Sequence, residues 1–142
     1  MTPCTQPGQT LADGLRGWLD EAASLGLRLA VASSSPREWL TTHLGRAGVL
    51  DRFEFLAGGD EVGQHKPAPD VYQLALDRLS LSAAAAVAVE DTAHGVAAAH
   101  AAGMRCIAIP NPFVALEGVR DADLVLSSAS QLRLADALSQ LS

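Results

Sequence analysis

The chain has 142 residues, a formal net charge of −6 and a sequence pI near 5.0, which is one domain's worth of polypeptide with room for a single core. Hydrophobic residues at 49 % and charged residues at 18 % exclude a disordered chain, and an acidic balance with no basic stripe argues against nucleic acid as a partner. No apolar run reaches the ~18 residues of a membrane span, and MTPCTQPGQT has neither the basic nor the apolar region of a secretory signal, so a soluble cytoplasmic protein is the expectation.

Residues 1–10 are rich in proline and polar residues without periodicity and read as a tail, leaving 11–142 as the folded domain. From Leu11 the apolar positions Leu11, Leu15, Trp18, Leu19, Ala22 and Leu25 follow one face of a helix that Gly26 ends. LRLAVA then reads as a buried strand running into Ser33, Ser34, Ser35 and Pro36, where a serine N-cap and an early proline predict a helix over 36–47 carrying Trp39, Leu40 and Leu44 inward. The alternation continues. FEFLA (53–57) is a second strand and 69–79 a helix with Val71, Leu74, Ala75 and Leu79 inward. AAVAVE (85–90) is a third strand, and the alanine-rich helix after it stops at Gly103. CIAIP (106–110) and DLVL (123–126) are the fourth and fifth strands, with a closing helix over 132–141. Short apolar strands alternating with helices predict a Rossmann-like, three-layer α/β/α domain around a parallel sheet.

In such a sheet ligands bind beyond the carboxyl ends of the strands. The residues found there are Ser33, Ser34 and Ser35; Asp60, Glu61, His65 and Lys66; Glu90, Asp91 and Thr92; and Asn111 and Pro112. Adjacent carboxylates at a strand end repel each other unless a cation lies between them, and hard oxygen ligands suit Mg2+. A serine hydroxyl and backbone N–H groups at a helix start make an anion site, to which a lysine adds a point charge. Lys66 is the only lysine beside nine arginines, as a site that needs an ammonium would require. Together they make a phosphate-plus-magnesium site. Each element also has a plainer reading: the serines as an ordinary helix cap, Glu90 and Asp91 as a solvated strand end with Asp91 as N-cap, and Lys66 as a surface residue. The four histidines (His43, His65, His94, His100) lie at no metal-ligand spacing and read as polar or helix-surface residues. Cys4 and Cys106 make neither a disulfide framework nor a zinc site. Gly58 and Gly59 belong to no dinucleotide-binding glycine pattern.

LAVASSS, HKPAPDVY and VAVEDTAHGVAAAHAAGM, in that order and spacing, resemble the second, third and fourth motifs of the haloacid dehalogenase-like hydrolases, in the branch of β-phosphoglucomutases and phosphoglycolate-type phosphatases. The likeness runs over about residues 10–140. It implies Mg2+-dependent phosphoryl transfer on a small phosphorylated metabolite. Ser33 and the Ser34 N–H would bind the phosphoryl group, Lys66 would neutralise it, and Glu90 and Asp91 would hold Mg2+. Ser33 and Lys66 are thereby the expected catalytic residues.

The family's first motif, a strand ending in Asp-x-Asp-Gly-Thr that supplies the nucleophile and the acid–base, has no counterpart, and neither has the cap domain that follows it. Asp121-Ala122-Asp123 precedes a strand instead of ending one. In the family that first strand lies between those bearing the second and fourth motifs, and removing it leaves a gap of about 10 Å. Pro3, Pro7 and Gly8 make the tail a poor filler for it. The expectation is a chain that is weakly active or inactive by itself, with substrate and oligomeric state open. Two alternatives stand beside it: a non-catalytic remnant of the fold with a binding or assembly role, and a receiver-like signalling domain, for which the first strand ends in the wrong residues.

Overall fold

The computed structural model describes residues 14–110 and 118–141. Helix α1 (Leu15–Ser24) leads into β1 (Ala30–Ala32), and α2 (Arg37–Arg46) follows. Next come β2 (Phe55–Ala57), α3 (Asp70–Leu79), β3 (Val87–Glu90), α4 (Ala93–Ala101), β4 (Arg105–Ala108), β5 (Leu124–Val125) and α5 (Leu134–Ser139). All ten predicted elements are present with altered ends; most are shorter than expected, and β4 starts one residue earlier, at Arg105. Leu11, Cys4, Asn111 and Pro112 lie outside the described residues.

The strands pair in parallel but form two ladders, β1–β2 and β3–β4–β5. Among the described residues no ladder joins β1 to β3. On one face the two halves share a core beneath α3 and α4. There Ala32 and Ala57 of the first ladder meet Ala88, Cys106 and Ala108 of the second, with Tyr72, Ala75, Val96 and Ala99 over them. Alanines at the strand positions let the helices sit close to the sheet. On the other face the core is divided. Leu15 and Leu19 of α1 pack with Val31, Leu40, Leu44 and Leu56, whereas Trp18 and Ala22 pack with Ile107, Leu126 and Leu134. Helix α1 straddles both.

Two helix starts are capped from a distance. The six-residue α5 takes its cap from α1, where Glu21 accepts from the Leu134 N–H at 2.7 Å and the Ala135 N–H at 2.9 Å. These bonds hold the Glu21 carboxyl below the usual range. The serines do not cap α2: Pro36 is its N-cap, and Asp60, from the turn after β2, accepts the Arg37 N–H at 3.0 Å. Leu25, expected inward, is 49 % exposed because the helix has already ended at Ser24. Trp39 is half-buried and stacks on His43, with ring centroids 3.8 Å apart.

Candidate functional site

Tight packing of the loop after β2 fixes the serine turn after β1. The Ser33 N–H donates to Ala57 O at 3.0 Å and the Gly59 N–H to Ser35 O at 2.8 Å. A Cβ on Gly59 would stand 2.1 Å from Ser34 O, so only glycine permits this approach. Ser33 is buried and its Oγ accepts the Ser35 N–H at 3.1 Å, while Ser34 is exposed. Asp60 and Glu61, candidates by position, serve this scaffold instead. Asp60 caps α2. Glu61 receives Arg78 at 2.6 and 3.1 Å and the Gly58 N–H at 2.8 Å, and lies 3.5 Å from Arg37. The Arg78 bonds, chiefly, lower the Glu61 carboxyl from its ordinary value and raise the Arg78 guanidinium.

Lys66 reaches the strand ends from its loop before α3. Its Nζ donates to Ala32 O at 3.0 Å and to Glu90 Oε2 at 2.5 Å, and stands 5.0 Å from the centroid of the Tyr72 ring. The pair is buried, with side chains 8 % and 1 % exposed. That excludes the surface-lysine reading. The Tyr72 hydroxyl also donates to Glu90 Oε2. Glu90 Oε1 lies against the first turn of α4, 1.9 Å from where a Cβ on Gly95 would stand. Glu90 is thus a buried acceptor for an ammonium and a phenol rather than a solvated strand end. The cap of α4 is Thr92, whose Oγ1 accepts the Gly95 N–H at 3.1 Å, so Asp91 is not the N-cap.

These groups converge. A polar cavity of about 420 Å3 is lined by Ser33, Ser34, Ser35, His65, Lys66, Glu90, Asp91, Thr92 and His94. All five predicted site residues, Ser33, Ser34, Lys66, Glu90 and Asp91, border it, from three different chain segments. His65 is oriented by a 2.9 Å contact of Nε2 with Gly59 O. Asp123 is elsewhere: it accepts the Cys106 N–H at 2.7 Å and pairs with His100 at 3.0 Å, at the amino end of β5. Those contacts lower its carboxyl from the ordinary value.

Sequence reading missed Tyr72, Gly95 and His94, and it placed His65 past the second strand without giving it a role at the pocket. Tyr72 was findable as the only tyrosine, in the first turn of a helix that must face the sheet. Gly95 was findable as a helix-interior glycine five residues after a strand-end glutamate.

No cluster of three or more His, Cys, Asp or Glu suited to a metal occurs among the described residues. Glu90 pairs with the Lys66 ammonium, and Asp91 brings a second carboxylate to the pocket. Asp91, half-buried at the pocket, suits a hard ion that keeps waters and takes one or two carboxylates.

The haloacid dehalogenase-like hydrolase family model matches residues 5–109. The protein YhcW of Bacillus subtilis is 38 % identical over 128 residues, covering 90 % of this chain and 58 % of YhcW. Protein CbbY of Rhodobacter capsulatus is 44 % identical over 108 residues, covering 72 % of this chain and 47 % of CbbY. The crystal structure of CbbY from Rhodobacter sphaeroides in complex with phosphate superposes with a TM-score of 0.82 at 37 % identity, covering 89 % of this chain and 58 % of that one. A mutant of that CbbY in complex with xylulose-(1,5)bisphosphate gives a TM-score of 0.78 at 38 % identity, with the same coverage. The chain therefore spans about half the length of the curated relatives it matches.

Proposed function

The chain belongs to the haloacid dehalogenase-like hydrolase family, and we propose that its polar pocket binds the phosphoryl group of a small phosphorylated metabolite together with Mg2+. The observation that carries this reading is Lys66, whose buried ammonium joins Ala32 O to Glu90 Oε2 in a pocket edged by three serines. Ser33 and the Ser34 N–H are the anion donors, and Lys66 is the fixed positive charge that a transferring phosphoryl oxygen would meet. Of the two carboxylates, Asp91 is the one to hold the metal directly. Glu90 keeps Lys66 in place and enters the metal's surroundings through it. The ion, when bound, supplies the positive charge that a phosphate dianion needs beside Asp91. A phosphorylated sugar is the substrate class to test first, given the ligand of the CbbY mutant.

Phosphoryl transfer through a covalent intermediate needs a nucleophile. Glu90 is committed to Lys66 and Tyr72, and Asp91 to the metal role, so the isolated chain is expected to bind without appreciable turnover. Equilibrium dialysis of inorganic phosphate, with Mg2+ or EDTA, tests this beside hydrolysis of an aryl phosphate. Metal-dependent phosphate binding that falls at least tenfold in Lys66→Ala supports the reading. Binding indifferent to both metal and Lys66 refutes it and favours a phosphate-independent binding or assembly role. Metal-dependent hydrolysis would refute only the inactivity, by showing that a carboxylate of this chain acts as nucleophile.

A further inference from the structure

Gly59 spends both of its backbone groups on the two sides of the polar pocket. Its N–H donates to Ser35 O at 2.8 Å, and its carbonyl accepts from His65 Nε2 at 2.9 Å. The residue is buried, and a Cβ there would stand 2.1 Å from Ser34 O, so it sits tight against the serine turn. One rigid residue thus joins that turn to the loop that carries Lys66. We infer that His65 is a positioning residue: by holding Gly59 O, its imidazole sets the spacing between the Lys66 ammonium and the turn of Ser33, Ser34 and Ser35, and with it the affinity of the pocket for a phosphoryl group. The inference rests on the proposed function for the ligand, but not for the geometry.

A carbonyl oxygen only accepts, so Nε2 carries the hydrogen of this bond whether the ring is neutral or charged. What the contact requires is a donor at that reach, not a charge. A ring with two side-chain dihedrals, fixed at its far nitrogen, leaves its own backbone little freedom. Lys66 follows directly, its Cα about 3.8 Å further on. The backbone of His65 is tied as well: its carbonyl accepts the Ala68 N–H at 3.0 Å, closing a turn around Lys66 and Pro67. The approach from the other side is open, since Gly63 and Gln64 are exposed and a Cβ on Gly63 would meet nothing within 4 Å. His65 is therefore the knot from which the Lys66 turn hangs.

The placement matters because a lysine stem is flexible. Nζ is held at its tip by Ala32 O at 3.0 Å and Glu90 Oε2 at 2.5 Å, and the backbone beneath it by the His65 bonds. Donors fixed on both sides of an anion need no reorganisation when it enters. Here one side is the serine turn, locked to the loop after β2 by the Gly59 and Ser33 N–H groups. The other is Lys66. Freed from Gly59 O, its turn would drift away from the serines, and an entering phosphate would have to order it again at a cost in affinity. His65 is itself exposed, so replacing it leaves the core untouched.

The test compares His65→Ala with His65→Gln in the full chain. The glutamine amide nitrogen reaches about as far as Nε2 and donates an N–H, whereas alanine supplies neither reach nor donor. His65→Asn, the same amide one bond shorter, should behave as alanine does and stands in for it if the alanine variant fails to fold by circular dichroism. Two readouts are taken. Lys66 is the only lysine, so acetylation by N-hydroxysuccinimidyl acetate, followed by peptide mass spectrometry, reports on its ammonium alone, with the α-amino group as internal reference. Equilibrium dialysis of inorganic phosphate with Mg2+ gives the affinity. His65→Ala should speed Lys66 acetylation about threefold or more and weaken phosphate about fivefold or more, while His65→Gln keeps both within about twofold of the unaltered chain. Glutamine no better than alanine, or Lys66 acetylation unchanged in His65→Ala, would overturn the inference. The second result with a loss of affinity would mean that the ring meets the phosphate itself. Phosphate binding that falls in Lys66→Ala but not in His65→Ala leaves the proposed function standing and overturns the positioning role. If the unaltered chain binds no phosphate, the proposed function fails and the acetylation comparison decides the positioning role by itself.

Discussion

Replacing Lys66 by methionine removes the ammonium from a carboxylate that is 1 % exposed and 2.5 Å away. Breaking a buried ion pair from one side costs about 3–5 kcal/mol, because the remaining charge stays desolvated. For a chain of this length that corresponds to roughly 10–15 °C in Tm, at about 3 °C per kcal/mol. Glu90→Gln alone should cost less, since an amide is easier to bury than a charge. The double variant should recover much of the Lys66→Met loss, because paired removal of a buried salt bridge is often nearly neutral. Urea unfolding followed by far-UV circular dichroism gives all four corners of the cycle, with an expected coupling of about 2 kcal/mol or more. Additive losses, with coupling under about 0.5 kcal/mol, would refute the view that Lys66 and Glu90 act as a unit. The double variant should fold and still fail to bind phosphate, which separates the pair's structural role from its proposed binding role.

Gly95→Ala drives a Cβ to 1.9 Å from Glu90 Oε1, so it should lose about 1–3 kcal/mol in the same unfolding assay and weaken phosphate binding although residue 95 contacts no ligand. Asp60→Ala removes the cap on α2 and should cost about 1 kcal/mol, read as a lower urea midpoint at unchanged slope. The Glu61 carboxyl is held below its ordinary value in the fold, mainly by Arg78, so the unfolded chain takes up its proton first on acidification. Its contribution is present in full above the unfolded pKa near 4.5 and is lost as pH falls through the lowered one, so Glu61→Gln should be less stable at pH 7 and show a flatter decline below pH 5. Burial, chiefly, pushes the Cys106 thiol up to about 12. In a Cys4→Ser background it should react with an aromatic disulfide at pH 8 only at the unfolding rate; faster labelling would show local opening of β4.

Much of this was legible because the two periodicities are clean. Strand segments of four to six residues and helices with apolar positions three and four apart leave little ambiguity, and each of the five site residues ends a strand, stands just past one or lies on the loop that follows one. What failed to show was contact across long sequence separations. The serine run and proline look like a self-capped helix, yet the cap comes from Asp60, 23 residues on. Helix α5 looks uncapped, yet Glu21 reaches it from 113 residues away. Glu90 and Asp91 look equivalent as neighbours, but the alternation of a strand sends Glu90 into the core toward Lys66 and Tyr72 and leaves Asp91 at the pocket. Local patterns cannot tell such partners apart; only the packing of α3 and α4 against the sheet does.

The same packing explains how a split sheet stays in one piece. Alanines at 32, 57, 88 and 108 let α3 and α4 lie across both ladders, so one apolar layer spans the division. On the opposite face α1 divides its side chains between two separate clusters and cannot bridge them with a continuous layer. The two ladders are therefore joined by a common floor and, at the carboxyl ends, by the Lys66 ammonium. A lysine that both closes the seam and charges the pocket ties binding to assembly. Anything that shifts Lys66 must loosen both ladders. Phosphate affinity and resistance to urea should consequently move together across single substitutions at positions 66, 72, 90 and 95, the paired removal of Lys66 and Glu90 being the exception, and separately from those at the Asp60 cap.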